Sequence, residues 1–177
     1  RGQAIANKRA DRSATEGAVL AKVSADGKSA GLISLNCETD FVAKNKDFVA
    51  FATSILDLAM ANNSTSVDEV NKLEMDGKSV ADKIMEQSGV TGEKIELGYY
   101  NQISAEHVVA YIHPGNKLAT VAGFNLGGID QQVYKDVAMQ IAAMDPVSVS
   151  KEDVAQEIKD EEFKIGREQA RLEGKPE

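Results

Sequence analysis

The residue types with most latent chemistry in this chain are one cysteine and two histidines: Cys37, His107 and His113. A thiol beside an imidazole is a nucleophile with its base, and two imidazoles with a thiolate can hold zinc. The histidines stand an even number of residues apart, so an unbroken strand would point both to one face. The surrounding sequence supports neither chemistry. No helix-opening elbow surrounds Cys37, no acid is placed to orient a base, and the spacing matches no zinc-ligand pattern. A lone cysteine on an apolar strand is more often a small buried hydrophobe. Gly127-Gly128 lacks the third glycine and the lysine of the nucleotide fingerprints. No cofactor and no metal are expected.

A second constellation is the stretch Asn36-Cys37-Glu38-Thr39-Asp40-Phe41-Val42-Ala43-Lys44. It lies where a β-hairpin hands over to a long helix. Asp40 or Thr39 can cap a helix there, which places Phe41 in its first turn. Two readings of Phe41 compete. Phe41, Phe48 and Ile55 recur at steps of seven, so one continuous helix would carry Phe41 on its core stripe. Alternatively the corner presents Asp40 and Phe41 to a partner.

The elements that must position this corner follow from the patterning. Residues 3–12 are good helix formers. Ala18 to Ser24 reads as a strand with Val19, Ala21 and Val23 on one face, Asp26-Gly27 as a hairpin turn, and Ala30 to Cys37 as the return strand. Asn45 caps a helix to about Asn62, with Phe48, Phe51, Ala52, Ile55 and Ala59 inward. Ser66-Val67-Asp68-Glu69 opens a short helix, and Ser79 opens another that stops at Gly89. Residues 95–104, 107–113 and 117–125 read as three strands, with Pro114-Gly115-Asn116 turning between the last two. Ile129, Val133, Val137, Ile141 and Met144 mark an amphipathic helix, stopped by Asp145-Pro146. A charged last helix opens at Ser150, and its sparse apolar stripe needs a partner helix.

The chain also echoes itself. Ala21-Lys22-Val23 through its turn to Asn36 resembles Ala110-Tyr111-Ile112 through its turn to Asn125, and an apolar helix follows each. The second copy joins hairpin to helix through Leu126-Gly127-Gly128, whereas the first inserts Glu38 to Lys44. The inserted corner therefore does more than connect. Two hairpin-plus-helix halves, with small antiparallel sheets packed on helices, make an α+β fold.

Composition narrows the partners. The net charge is −8 and no compact basic stripe occurs beyond Lys8-Arg9-Arg12, which argues against a nucleic-acid ligand. A single cysteine requires no oxidising compartment, and no run is long enough to span a membrane. A cytosolic protein that meets a protein partner is the expectation. The start at Arg1 and the end at Glu177 read as those of a fragment.

The Asn36–Lys44 stretch resembles the signature of bacterial elongation factor Ts. Tyr111 to Lys117 and Asp136 to Ala143 resemble two further stretches of that family, and Ser150 to Pro176 resembles the start of its helical insertion. The resemblance implies a guanine-nucleotide exchange factor for elongation factor Tu, acting by binding and without covalent chemistry. It implies that Phe41, beside Asp40, wedges into the partner's GTPase domain near its magnesium site. Thr39 and Val42 flank that pair, His113 at the hairpin tip touches the same domain, and Met139 and Gln140 lie near the contact surface. It also implies four segments: a remnant of a linker or N-terminal helix (1–13), two core subdomains (14–93 and 94–149, the second incomplete), and the first helix of a coiled-coil or dimerisation insertion (150–177). A structural module that forms a homodimer through that helix is the alternative.

Overall fold

Alternation in residues 29–37 builds the central strand of the molecule. In the computed structural model, which describes residues 9 and 11–174, β2 (Ser29–Cys37) lies between β1 (Glu16–Val23) and β5 (Glu96–Ser104), antiparallel to both. Ile33, Leu35 and Cys37 of β2, with Ala18 and Leu20 of β1, fill the main core. The inward side chains of β1 are thus Ala18 and Leu20, not the Val19 face, because the register sets Ala18 opposite Leu35 and Leu20 opposite Ile33. A bulge at Ser34/Leu35 skips Gly98 of β5. A Cβ there would come within 2.4 Å of the Asn36 side-chain amide, which would have to move aside for any larger residue.

Helices cover the core face. After the four-residue α1 (Asp40–Ala43), α2 (Lys46–Ala61) starts at Asn45, whose side chain accepts from Asp47 N and Phe48 N. Its Phe48, Ala52, Ile55, Leu56 and Ala59 are buried. Ser66 caps α3 (Val67–Lys72). A minimal hairpin, β3 (Glu74–Met75) and β4 (Lys78–Ser79), leads to α4 (Val80–Thr91), capped by Ser79. α4 runs through Gly89 and ends at Gly92, because Gly92 is the glycine that adopts the left-handed conformation (φ 72°).

β5, grouped by sequence with the second hairpin, pairs instead with β2. β6 (His107–Ile112) and β7 (Ala119–Phe124) form a separate two-stranded sheet. α5 (Gln131–Met144) packs Tyr134 and Ala138 on it, with Val109 and Ala122, as a second small core. Of the expected apolar stripe only Ile141 joins this core, and Ile129, Val133, Val137 and Met144 are exposed. A two-stranded sheet is narrow and covers only the strip of α5 centred on Tyr134. The α+β class holds, with small antiparallel sheets packed on helices.

The two hairpins hold each other's turns. Val108 N donates to Gly27 O, and Ala105 N to Lys28 O, at the first turn. Val19 N donates to Asn116 O at the second, 2.7 Å away.

The chain divides into two units between Ala143 and Met144. In the second, α6 (Gln156–Leu172) starts later than Ser150 and buries no side chain. The Ser150 hydroxyl donates to the Asp153 carboxylate instead of capping a backbone N–H, so residues 150–153 close a turn that does not propagate. Of the helix expected over residues 3–12, only residues 9, 11 and 12 are described; Arg12 N donates to Arg9 O there, and the rest lies outside the described residues. No described helix is long and apolar enough to cross a membrane.

Candidate functional site

The site grows from the end of β2. Glu16 faces Cys37 across the β1–β2 ladder, so the chain leaves the sheet at Glu38 beside the start of β1. Thr39 is extended (φ −126°, ψ 154°) and is the residue that caps α1, its hydroxyl accepting from Val42 N at 3.5 Å. α1 lasts only four residues. Asn45 is extended (φ −67°, ψ 131°) and starts α2 afresh. That break uncouples Phe41 from the Phe48–Ile55 stripe. Phe41 is 84% exposed, whereas Phe48 is 4% exposed. Ala43 turns inward and Val42 lies against the main core, so α1 is fixed from below while its phenylalanine faces water.

Two glutamates brace the corner from the side. The Glu93 carboxylate accepts from Glu38 N (3.1 Å), Thr39 N (3.0 Å) and the Thr39 hydroxyl (2.6 Å). Glu38 returns the bond, its carboxylate accepting from Lys94 N at 2.6 Å and from the Arg9 guanidinium at 2.8 Å. The Lys94 amide, followed by Arg9, lowers the Glu38 carboxyl pKa. Sequence reading assigned no role to Glu38 and did not identify Glu93. The only local signal is an acid directly after a helix-ending glycine, and its partners lie 54 and 55 residues away.

Charge on the exposed side is paired. Lys44 Nζ sits 2.6 Å from Asp40, and that bond, with a further contribution from Lys117, lowers the Asp40 pKa. Lys117 lies 2.7 Å from Glu16, whose hydrogen bond raises the lysine pKa, and Asp40 adds to the shift. Lys117 belongs to the second hairpin's turn, where Asn116 N donates to His113 O. The turn that carries His113 is thereby tied to the edge of the sheet from which the corner springs. His113 is exposed beyond the end of β6, its Nδ1 2.8 Å from the Tyr111 hydroxyl. Met139 and Gln140 are also exposed, on α5, apart from the corner's hydrogen-bond network.

The chemistry-bearing trio disperses. Cys37 is fully buried under α1, His107 stacks on Tyr134 with ring centroids 4.2 Å apart, and His113 is at the turn. Among the described residues, no three His, Cys, Asp or Glu side chains form a metal-holding group. Desolvation, reinforced by the Glu93 charge, pushes the Cys37 thiol up to about 11. Its thiolate fraction at pH 8 is then about one in a thousand. Native protein treated with iodoacetamide at pH 8 is expected to stay unlabelled at Cys37 over the time in which protein unfolded in guanidinium labels fully. Rapid labelling of the native form would contradict this burial.

A family profile described as Elongation factor TS matches residues 38–177. Curated relatives, each called Elongation factor Ts, align with the whole chain. The protein of Azobacteroides pseudotrichonymphae is 47% identical over 177 residues, and that of Porphyromonas gingivalis 51% over 178. That of Christiangramia forsetii is 46% identical over 179 residues. The chain spans 64% of the length of each of these relatives. A profile match over residues 38–177 and about half-identity across the whole chain place it: the chain belongs to the elongation factor Ts family.

Proposed function

We propose that this chain acts in translation elongation as a guanine-nucleotide exchange factor for the cytoplasmic GTPase elongation factor Tu, and that Phe41 is the group that dislodges GDP. The observation that carries this is the 84% exposure of a phenylalanine on a short, braced helix. An exposed aromatic ring gains roughly 2–3 kcal/mol on burial in a partner. A ring held in place beforehand loses little entropy in doing so. Thr39, Asp40 and Val42 present it, and His113, on the turn tied to β1, touches the same partner domain. Met139 and Gln140 extend the contact along α5.

The mechanism needs no bond to form or break. GDP in a GTPase is held by a phosphate loop and by magnesium coordination. A ring wedged beside that site shifts an element that holds the metal, and the nucleotide loosens. Factor and nucleotide then bind antagonistically, so each expels the other by the same factor. In the free chain Asp40 is paired with Lys44 on the exposed side of α1.

The test loads elongation factor Tu with a fluorescent GDP and follows its release on adding the chain. Accelerated release is expected, with excess GDP displacing the chain from the partner. A release rate equal to the spontaneous one at saturating chain would end this reading.

A further inference from the structure

We propose that Glu93 is the positioning residue of the Phe41 probe: its carboxylate sets the direction of the Thr39 hydroxyl, and through it the angle at which Phe41 meets the partner. The inference rests on the exchange reading of Phe41.

Glu93 starts from a rigid base. Gly92 closes α4, and Glu93 N donates to the Thr91 hydroxyl, which itself donates to Gln87 O. One residue on, Lys94 N is held by Glu38, and then Ile95 N by the buried Ser88 hydroxyl. From this base the two carboxylate oxygens divide their work. Oε2 accepts from both backbone amides at the corner, and Oε1 accepts the hydrogen bond of the Thr39 hydroxyl at 2.6 Å.

That last bond has a polarity. A threonine hydroxyl has one hydrogen. Donating it to Glu93 leaves only lone pairs facing Val42 N, which is what a helix cap requires. α1 has only four residues and no other side-chain cap, so this bond, together with the packing of Val42 and Ala43 on the core, sets the orientation of Phe41.

Glu93→Gln preserves the shape and breaks the polarity. All three corner groups donate to Glu93, and a primary amide has one accepting atom and one donating atom. If the amide nitrogen faces Thr39, the hydroxyl must turn to accept from it and its hydrogen no longer has Glu93 as acceptor; if the nitrogen faces the two backbone amides, donors face a donor. Either Thr39 loses its acceptor or the two backbone amides do.

The experiment makes Glu93→Gln in the wild-type chain and in Phe41→Ala, and reads two quantities. The first is the maximal rate of fluorescent GDP release from elongation factor Tu at saturating chain. The second is amide hydrogen exchange at Glu38, Thr39 and Val42 in the free protein, because one orientation of the amide releases the first two and the other disturbs the Thr39 cap on Val42. Loss of one charge-assisted hydrogen bond is worth roughly tenfold. The expected result is a roughly tenfold lower maximal rate, with the half-saturating concentration within about threefold, and corner amides exchanging roughly tenfold faster. In the Phe41→Ala background Glu93→Gln should slow release no further. Unchanged amide protection would overturn the proposal. So would an equal slowing of release in both backgrounds, because a merely stabilising residue behaves that way. If Phe41→Ala alone leaves release unchanged, the exchange reading itself fails and the Glu93 proposal fails with it in function; the amides then judge only the brace.

Discussion

Phe41→Ala is expected to cut stimulated GDP release by about a hundredfold while leaving the fold as stable as before. A buried aromatic anchor at the centre of an interface carries about 2 kcal/mol or more, and 2.7 kcal/mol is a factor of about one hundred. The free chain has little to lose, because the ring is 84% exposed. Surface substitutions of this kind change stability by about 0.5 kcal/mol or less. Thr39 still caps α1, Glu93 still holds the corner, and the Asp40–Lys44 pair does not involve the ring. Fluorescent GDP release and thermal unfolding, measured on the same preparation, separate the two quantities. Unchanged release from a normally folded Phe41→Ala chain would remove Phe41 from the mechanism.

Phe48→Ala, seven residues on, should do the opposite. Phe48 is 4% exposed and packs in the main core with Ala52, Ile55 and Leu56. Removing such a side chain forfeits its transfer energy and leaves a cavity, together about 3–5 kcal/mol. In a chain of this size that lowers the melting temperature by roughly 10 °C. Exchange activity should fall only as far as the folded fraction falls, and recover fully at lower temperature. Denaturant unfolding that shows a loss below about 1 kcal/mol would mean that Phe48 is not the core residue it appears in this structure.

The contrast between these two residues marks the limit of what spacing tells. Both sit on one heptad step, and periodicity alone favours placing both in the core. What separates them is a single extended residue, Asn45, which ends one helix and caps the next. Asparagine is legible as a cap, yet whether the preceding turn continues the same helix depends on how α1 docks against β1 and β2. The end of α4 was misplaced for a similar reason. Gly89 and Gly92 are both credible stops, and only the observed backbone shows which one takes the left-handed conformation. On α5 the helix was legible, but its inward face was not, because it depends on the width of the sheet beneath.

Local rules were enough for whatever local interactions settle. The sequence by itself determined the hairpin turns, the caps at Asn45, Ser66 and Ser79, the α+β class, the internal echo with its inserted corner, and the family signature within that corner. Each depends on residues within a turn or two of one another, or on a pattern of types. Tertiary structure alone decided that β5 joins β2, that the turn carrying His113 is tied to β1 at Glu16 and Val19, and that Glu93 reaches back to hold Thr39. These contacts join residues far apart along the chain, and their partners are chosen by sheet register and by the need of each buried donor for an acceptor. Phe41 shows both kinds of control: the break at Asn45 frees it from the core stripe, and the corner that carries it is held by a carboxylate more than fifty residues away.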